Sequence, residues 1–402
     1  MITQCQSCRS SALSPVLDLG SHPFSTGLPL RSYEPLRMFE LALLQCGHCG
    51  LIQLRQPAAA EDLTPLVDWV TYREPENHLD DVCDRLAALP GLEDRRARIL
   101  GVTSKDESAL ARLSKLGFTG VSRLDIAGDL GVTRANANVE AVPEALTREC
   151  GAEIARSQGP AKLVIVRHIF EHAADLGQFI EGLKALVAPG GYLMLEVPDC
   201  TRSLALGDYT MIWEEHSVYF TPETFFNLLD RHGFAPALTM QYPYPYEDCL
   251  ILVARRDDSV GAADPVAAPP RVLALGRDYG RRFDTVTQEL REKLEAAKGK
   301  RPVALYGAGH LTASFVNYHG LGTLFDCVVD DTPQKQGLFL PGTNLPILPS
   351  AALLERGIGL CLLGLAPEVE PKIVGRNAAF IAGGGQFRSL LAASPTAFLR
   401  VS

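Results

Sequence analysis

Two Cys-x-x-Cys pairs near the amino terminus constrain the fold of this chain more than any other feature. Cys5 and Cys8 form the first pair, and Cys46 and Cys49 form the second pair after an interval of 37 residues. Four thiolates complete the tetrahedral shell of Zn²⁺ and leave no position for a substrate, which is typical of a structural site. We therefore predict that these cysteines hold a structural zinc ion in a small module, residues 1–60, which needs the metal to fold.

The composition narrows the class of protein. At 402 residues the chain is longer than one hydrophobic core usually organises, which favours two or three domains. A net charge of −9 provides no general attraction for nucleic acid or for an anionic membrane surface. The sequence shows neither a signal peptide nor a transmembrane-length apolar run. We expect a cytoplasmic protein, monomeric or a small homo-oligomer, with no nucleic-acid or membrane partner.

Beyond residue 98 the chain alternates between short apolar segments and helical segments. The predicted strands lie at 98–102, 163–166 and 192–197, and the predicted helices at 107–116 and 179–186. A Pro-Gly-Gly sequence at 189–191 predicts a turn before the last of these strands. Strands that alternate with helices of this length predict a parallel, doubly wound sheet, which we place in residues 61–262.

A second α/β unit follows a break in the pattern. The polar stretch from Arg255 to Pro270 predicts a linker, because its Pro269-Pro270 pair fits neither a strand nor a helix. A charged helix is predicted at 279–298, and a strand then begins at Val303. These signals place a third domain at 271–402.

The turn after that strand is only partly typical of a dinucleotide site. Gly307 and Gly309 fit the start of the pattern G-x-G-x-x-G, but Thr312 stands in place of the third glycine. We favour a tight strand-to-helix turn over an NAD site.

Several further motifs occur in an order that is seen in one enzyme family. They are Leu17-Asp-Leu-Gly-Ser-His-Pro23, Arg167-His-Ile-Phe-Glu-His172, Glu215-His-Ser-Val-Tyr-Phe220, Tyr306-Gly-Ala-Gly309 and Val329-Asp-Asp-Thr-Pro-Gln-Lys-Gln-Gly337. With the cysteine pairs, they make the chain resemble the nucleotide-sugar C-methyltransferases over nearly its whole length. The resemblance implies an α/β protein with a zinc-binding module, a SAM methyltransferase-like doubly wound sheet and a C-terminal Rossmann-like domain. It also implies methylation of a carbon next to the ketone of a nucleotide-linked deoxysugar, with SAM as cofactor.

The resemblance assigns the proton-transfer step to a histidine. His216 matches the base that removes the proton α to the carbonyl, and Glu215 matches a neighbour that orients the imidazole or binds a sugar hydroxyl. A neutral imidazole suits this task because its pKa lies near the operating pH. Tyr72 corresponds to an aromatic active-site residue of the family. His172 is predicted as a second active-site histidine, with simple packing of its segment as the alternative.

Four residues are predicted to contact the substrate. His168 follows a predicted strand, and ligands of open α/β sheets bind at the carboxyl ends of strands. Its spacing from His172 is also that of a metal pair, but the sequence offers no evident third ligand. Trp213 stands where the family signature usually has tyrosine, Tyr219 belongs to the same signature, and Tyr306 precedes the glycine turn of the third domain.

The resemblance places SAM at the turn after the strand that begins at Arg98. The predicted cofactor-binding residues are Gly101, Thr103, Asp106 and Ser122. Only Asp106 keeps the residue type of the family. Gly101 stands in place of an acidic residue, Thr103 in place of a glycine, and Ser122 in place of the carboxylate that holds the ribose hydroxyls with charge-assisted hydrogen bonds.

Three functions follow from this mixture of retained and altered residues. The first is SAM-dependent C-methylation of a nucleotide-linked keto-deoxysugar, in which His216 deprotonates the substrate. The second is a SAM-independent epimerase, isomerase or eliminase of the same substrate class that uses the same histidine. The third is a binding protein that keeps only the architecture.

Overall fold

The computed structural model describes residues 1–24, 36–63, 76–133, 139–259 and 264–400. The strands are β1 (Leu13–Pro23), β2 (Met38–Cys46), β3 (Ile52–Leu54), β4 (Arg98–Gly101), β5 (Gly120–Arg123), β6 (Ala161–Arg167), β7 (Val187–Asp199), β8 (Val218–Tyr219), β9 (Phe234–Tyr242), β10 (Asp248–Arg256), β11 (Val303–Tyr306), β12 (Cys327–Val329), β13 (Ile347–Leu348), β14 (Leu360–Leu363) and β15 (Gln386–Ser389). The helices are α1 (Leu79–Ala87), α2 (Glu107–Lys115), α3 (Val142–Ala145), α4 (Arg148–Gln158), α5 (Leu176–Leu186), α6 (Thr201–Leu206), α7 (Pro222–Phe225), α8 (Pro270–Lys298), α9 (His310–Tyr318), α10 (Ala352–Glu355), α11 (Glu370–Arg376) and α12 (Ala378–Ala382).

The first sheet is antiparallel, with the strand order β1-β2-β3-β8. β1 and β2 form a ribbon that starts beside the cysteine pairs, where Leu13 is paired with Cys46. β8 comes from much later in the chain and pairs with β3, with Tyr219 opposite Ile52. The sheet next to the cysteines is therefore completed by a strand that immediately follows the predicted catalytic histidine.

The central sheet has the strand order β5-β4-β6-β7-β10-β9. β5, β4, β6 and β7 run parallel, and β10 and β9 are antiparallel at one edge. Alternate residues of β6 point to opposite faces: Leu163 packs with Val82 and Leu110 of α1 and α2, and Val164 packs with Phe179 of α5. A strand covered on both faces reads as a continuous apolar run, as β6 does from Leu163 to Val166. The predicted doubly wound sheet is confirmed.

The turn that was predicted at 189–191 is wrong, because β7 already begins at Val187. Gly190 has a φ angle of +67°, which glycine adopts at no steric cost. The register between β6 and β7 shifts at this point, since Ala161 pairs with Val187 whereas Leu163 pairs with Tyr192. The Pro-Gly-Gly sequence is therefore a bulged segment inside the strand.

The third sheet is parallel throughout, with the strand order β13-β12-β11-β14-β15. β11 lies at its centre, and all four residues of this strand are buried. The carboxyl end of β11 leads through the glycine turn into α9. This arrangement is the second α/β unit that the sequence predicts from Val303 onward.

The long helix α8 joins the first and third sheets. It begins at Pro270, so the expectation that the Pro269-Pro270 pair fits no helix is wrong. Proline is well suited to the first position of a helix, where its missing N–H group has no partner to lose. Gly280 lies so close to the backbone of Val16 that a Cβ atom would fall 1.8 Å from its carbonyl oxygen. This contact requires glycine and holds α8 against β1.

Within the described ranges, no helix has the length and apolar character needed to cross a membrane. The boundaries proposed at residues 60, 262 and 271 stay predictions.

Candidate active site

The four predicted zinc ligands converge. The Sγ atoms of Cys5 and Cys49 lie 3.5 Å apart, as do those of Cys8 and Cys46, and all four lie within 4.8 Å of one another. Ligands about 2.3 Å from a tetrahedral zinc ion require sulfur separations of about this size. The donor set fits Zn²⁺ and leaves no open coordination position. His48 lies apart from this set, and its Nε2 atom contacts the carbonyl oxygen of Pro265 at 3.1 Å.

A cavity of about 730 Å³ lies at the carboxyl ends of β6 and β7. Its wall combines side chains of the central and third α/β units, and they include His168, Glu171, His172, Trp213, Glu215, His216 and His310. Five of the predicted catalytic and substrate-binding residues therefore meet in one place, although they come from separate segments of the chain. The position agrees with the general location of ligand sites in open α/β sheets.

The segment after β6 places two histidines at the cavity wall. His168 has a φ angle of +47°, a left-handed conformation that is uncommon for a residue with a side chain. Residues Phe170–His172 then form one 3₁₀ turn. Glu171 is buried in this turn, and burial raises its pKa. Its Oε2 atom is buried and has no hydrogen-bond partner within the described part of the chain.

His168 is held by a buried network that sequence reasoning missed. Its Nε2 atom lies 2.9 Å from Oε1 of Glu196, and Arg167 donates from Nε to Oε2 of the same carboxylate at 2.7 Å. His78 approaches Oε1 to 3.2 Å. Although burial acts to raise it, the hydrogen bonds from His168 and His78 and the charge of Arg167 hold the pKa of Glu196 well below its usual range. Glu196 and His78 carry no motif that marks them.

His216 lies against two other rings of the cavity wall. Its ring centroid is 4.8 Å from that of His172 and 5.2 Å from that of Trp213. Burial, followed by the proximity of His172 and Lys105, lowers the pKa of His216 well below its ordinary value. The imidazole is therefore neutral at physiological pH and has a free lone pair for a proton.

Glu215 lies beside His172. Oxygen and nitrogen atoms of Glu140, His172 and Glu215 lie within 4.8 Å of one another, and Nδ1 of His172 is 2.6 Å from Oε2 of Glu140. Glu140 was not singled out in the sequence. Glu140 belongs to no recognisable motif. Its contact with a histidine 32 residues away is evident only in the folded chain.

The aromatic residues of the predicted substrate site divide into two groups. Trp213 lines the cavity and stacks on His310 of the third unit, with centroids 4.2 Å apart. Tyr219 is buried outside the lining, where its hydroxyl lies 3.2 Å from the backbone nitrogen of Trp213. Tyr306 is also buried, and its hydroxyl donates to Asp331 at 2.5 Å. Tyr219 therefore supports the loop that carries Trp213. Tyr72 lies outside the described residues.

The predicted cofactor residues form a turn that is filled by its own side chains. Oδ2 of Asp106 accepts hydrogen bonds from the backbone N–H groups of Val102 and Thr103, both at 2.7 Å, and Oδ1 accepts from that of Arg167 at 2.8 Å. A Cβ atom on Gly101 would lie 2.7 Å from a methyl group of Leu110. The backbone donors that a glycine-rich turn would offer to a cofactor are bound to Asp106.

The second strand of the predicted cofactor site is also altered. Ser122 is exposed on β5 and does not line the cavity. Next to it, Arg123 forms an ion pair with Glu107 of α2 at 3.0 Å. This pair spans the crevice between β5 and the amino terminus of α2. The residues present here do not fit the SAM-binding site that the resemblance implies.

The glycine turn of the third unit is closed as well. Asp330, at the end of β12, accepts a hydrogen bond from the backbone N–H of Ala308 at 2.9 Å and pairs with Lys335 at 2.9 Å. The hydroxyl of Thr312 donates to the carbonyl oxygen of Gly307. A carboxylate that would hold a ribose is thus already paired. These contacts favour the tight turn over an NAD site.

Comparison with known families and proteins agrees with this organisation. A zinc binding domain model matches residues 5–63, a methyltransferase domain model matches residues 72–238, and the model of a C-methyltransferase C-terminal domain matches residues 272–391. The C-methyltransferase NovU of Streptomyces niveus is 27% identical over 414 residues, which cover 96% of this chain and 94% of NovU.

Solved structures of methyltransferases also match part of the chain. The 1,6-didemethyltoxoflavin-N1-methyltransferase of Burkholderia thailandensis is 15% identical, with a TM-score of 0.31, and the match covers 46% of this chain and 80% of that chain. The magnesium protoporphyrin IX methyltransferase of Synechocystis is 15% identical, with a TM-score of 0.30, over 47% of this chain and 91% of that chain.

Proposed function

Because the chain belongs to the C-methyltransferases, with their zinc-binding, methyltransferase and C-terminal domains, we propose that it activates a carbon next to a carbonyl group. The proposed substrate is a keto-deoxysugar linked to a nucleotide. The observation that carries this proposal is the cavity in which a neutral His216, His172, Glu171 and Glu215 meet. Zinc is structural in this account, since four thiolates complete its shell.

His216 is the proposed base. Its lone pair accepts the proton from the carbon next to the ketone, and the C–H electron pair passes into an enolate. A base positioned in this way contributes about 10²- to 10⁴-fold to the rate. Glu171 and Glu215 are proposed to accept hydrogen bonds from sugar hydroxyls. Trp213 and His168 are proposed to shape the site around the sugar ring, and Tyr219 and Tyr306 to support the walls behind it.

Two outcomes of this enolate are possible, and the first is C-methylation. SAM supplies an electrophilic methyl group in that reaction. The turn at 101–106 does not fit SAM as the resemblance implies it, because Gly101 offers no carboxylate and a buried Thr103 stands in place of a glycine. The proposed contacts to the substrate do not depend on this turn.

The second candidate function is proton transfer alone, as in an epimerase, isomerase or eliminase. The altered residues at 101, 103 and 122 favour it, and so does the presence of two histidines at one wall of the cavity, His172 and His216. The enolate is reprotonated in this case, or it expels a leaving group. The base and the substrate class are the same as in the first candidate.

One incubation separates the two candidates. The purified protein is incubated in D₂O with a nucleotide-linked 4-keto-deoxysugar, with and without SAM that carries a labelled methyl group, and the sugar is analysed by mass spectrometry. Labelled methyl in the sugar supports C-methylation. Deuterium without label in both reactions supports proton transfer alone. A sugar that gains neither contradicts both candidates and leaves a binding protein.

A further inference from the structure

Glu140 is a buried carboxylate behind the lining residue His172, and the functions described above give it no role. It lies in the one-turn 3₁₀ segment Val139–Ala141, directly before α3. Its side chain is only 6% exposed, and that of His172 only 3%. The 2.6 Å distance between Oε2 of Glu140 and Nδ1 of His172 makes this a short hydrogen bond between two buried groups.

The contact determines which nitrogen of His172 carries the proton. A carboxylate only accepts hydrogen bonds, so Nδ1 of His172 must be the donor to Glu140. In the neutral ring Nε2 is then left with a lone pair. Nε2 lies 3.8 Å from Oε1 of Glu171, and both residues line the cavity. Glu140 therefore orients His172 as a proton acceptor toward the cavity.

The surroundings of His172 and His216 differ in charge. Carboxylates of Glu140, Glu171 and Glu215 lie around His172, and each of them stabilises a positive charge on that ring. His216 instead faces other imidazoles and Lys105, and its pKa is lowered. A proton that His216 takes from a substrate is thus in an unfavourable place, and the neighbouring ring of His172 has carboxylates around it.

We propose that Glu140 positions His172 as the second proton carrier of the active site, which receives the substrate proton from His216. The proposal rests on the function proposed above. In the first step the C–H bond breaks, its electron pair enters the enolate, and an N–H bond forms on His216. In the second step that N–H bond breaks, an N–H bond forms at Nε2 of His172, and the carboxylates of Glu140 and Glu171 balance the charge.

The geometry allows the second step. The two rings meet edge to face with centroids 4.8 Å apart, and nitrogen atoms of the two histidines and an oxygen of Glu171 lie within 4.8 Å of one another. One bridging water spans such a gap, and proton transfer through one water is common at active sites. The transfer also restores the neutral His216 that the next turnover needs.

The test compares Glu140→Gln with Glu144→Gln. A glutamine at 140 still accepts the hydrogen bond from Nδ1 through its amide oxygen but carries no charge. Glu144 is exposed on α3, one turn away, and is the matched control. The readout is deuterium uptake from D₂O at the carbon next to the ketone of a nucleotide-linked keto-deoxysugar. We expect kcat for uptake to fall about 100-fold in Glu140→Gln, with KM nearly unchanged and Glu144→Gln equal to wild type.

A second measurement reports the position of the proton without a substrate. ¹⁵N NMR of histidine-labelled protein, with His172→Gln to assign the signal, should show His172 protonated at Nδ1 and bare at Nε2. A proton at Nε2, or wild-type uptake by Glu140→Gln, overturns the role of Glu140. No uptake by the wild type contradicts the proposed function itself, and with it the transfer between the two histidines, so the two failures are distinct.

Discussion

Two turns lie side by side at the carboxyl edge of the central sheet. They differ in whether their polar side chains are hydrogen-bonded within the turn. In the turn after β4, Asp106 binds the backbone N–H groups around it and closes the surface. In the turn after β6, Glu171 keeps an unpartnered oxygen within the described structure, and His172 faces a cavity. The polar groups of the first turn stabilise the turn itself. The second keeps them available for a ligand.

The difference shows how a family resemblance is to be read residue by residue. Both turns belong to motifs expected to bind small molecules, and the chain aligns with NovU through both. By the resemblance, the side chains at 101, 103 and 122 differ in type from those of the family, and Asp106 alone keeps its type. The histidines kept at 172 and 216 meet in one cavity. Chemistry is expected where buried polar groups lack internal partners.

The largest expected effect comes from replacing the proposed base, His216, in the cavity wall. We expect His216→Asn to lower deuterium uptake by a keto-sugar nucleotide about 10²- to 10⁴-fold, because a general base is lost. Its free energy of unfolding in urea should stay within about 1 kcal/mol of wild type. His232→Asn, a partly buried histidine outside the cavity, is the control. Equal loss in both variants would mean that uptake reflects folding rather than catalysis.

Asp106→Asn tests the turn after β4, whose polar groups are hydrogen-bonded to one another. An amide keeps the size of the side chain but replaces one acceptor oxygen with an NH₂ donor that faces a buried backbone N–H group, so the free energy of unfolding should fall by about 3 kcal/mol. The deuterium uptake of the folded protein should change less than about 3-fold, since the carboxylate does not line the cavity. Asp84→Asn, an exposed change on α1, should be neutral. A stable Asp106→Asn protein with poor uptake would show that this turn serves the reaction.

The smallest expected effect is a dependence of stability on pH. Burial and the neighbouring His172 and Lys105 lower the pKa of His216 in the folded chain, below its unfolded value of about 6.5. The unfolded chain therefore binds the proton first, and stability is lost as the pH falls below about 6.5. Between pH 7 and 5.5, we expect His216→Asn to lose about 1 kcal/mol less stability than wild type in urea titrations. Parallel losses in the two proteins would contradict a neutral, half-buried imidazole.

The parts of the fold that could be predicted are those with local signals. The spacing of apolar residues predicted strands β4 and β6 and helix α2. The spacing of the two cysteine pairs is typical of a zinc site, so it predicted that the four thiols lie together. The start of α8 at Pro270 was missed because a proline pair reads equally well as a break and as a helix start. The pairing of β8 with β3 was missed because a two-residue strand is too short to show an alternation of apolar and polar residues.

The site was predictable only where a motif names its residues. His172, Glu215 and His216 were singled out through the resemblance, and all three line one cavity, while their roles stay predictions. Glu140 and Glu196 were missed because their partners lie far along the chain and a lone glutamate has no signature. Tyr219 belongs to the motif but does not line the cavity. Its hydroxyl instead contacts the backbone of Trp213 from behind the cavity wall.

The most direct test of the cavity account is the fate of one hydrogen when the substrate alone is present. Wild-type protein, loaded with zinc and free of SAM, is incubated in D₂O with a nucleotide-linked 4-keto-deoxysugar, and the position of deuterium is read by NMR. The account predicts deuterium at the carbon next to the ketone, in a reaction that heat-inactivated protein does not perform. A sugar that binds in the cavity and keeps all its hydrogens would contradict proton removal by these histidines.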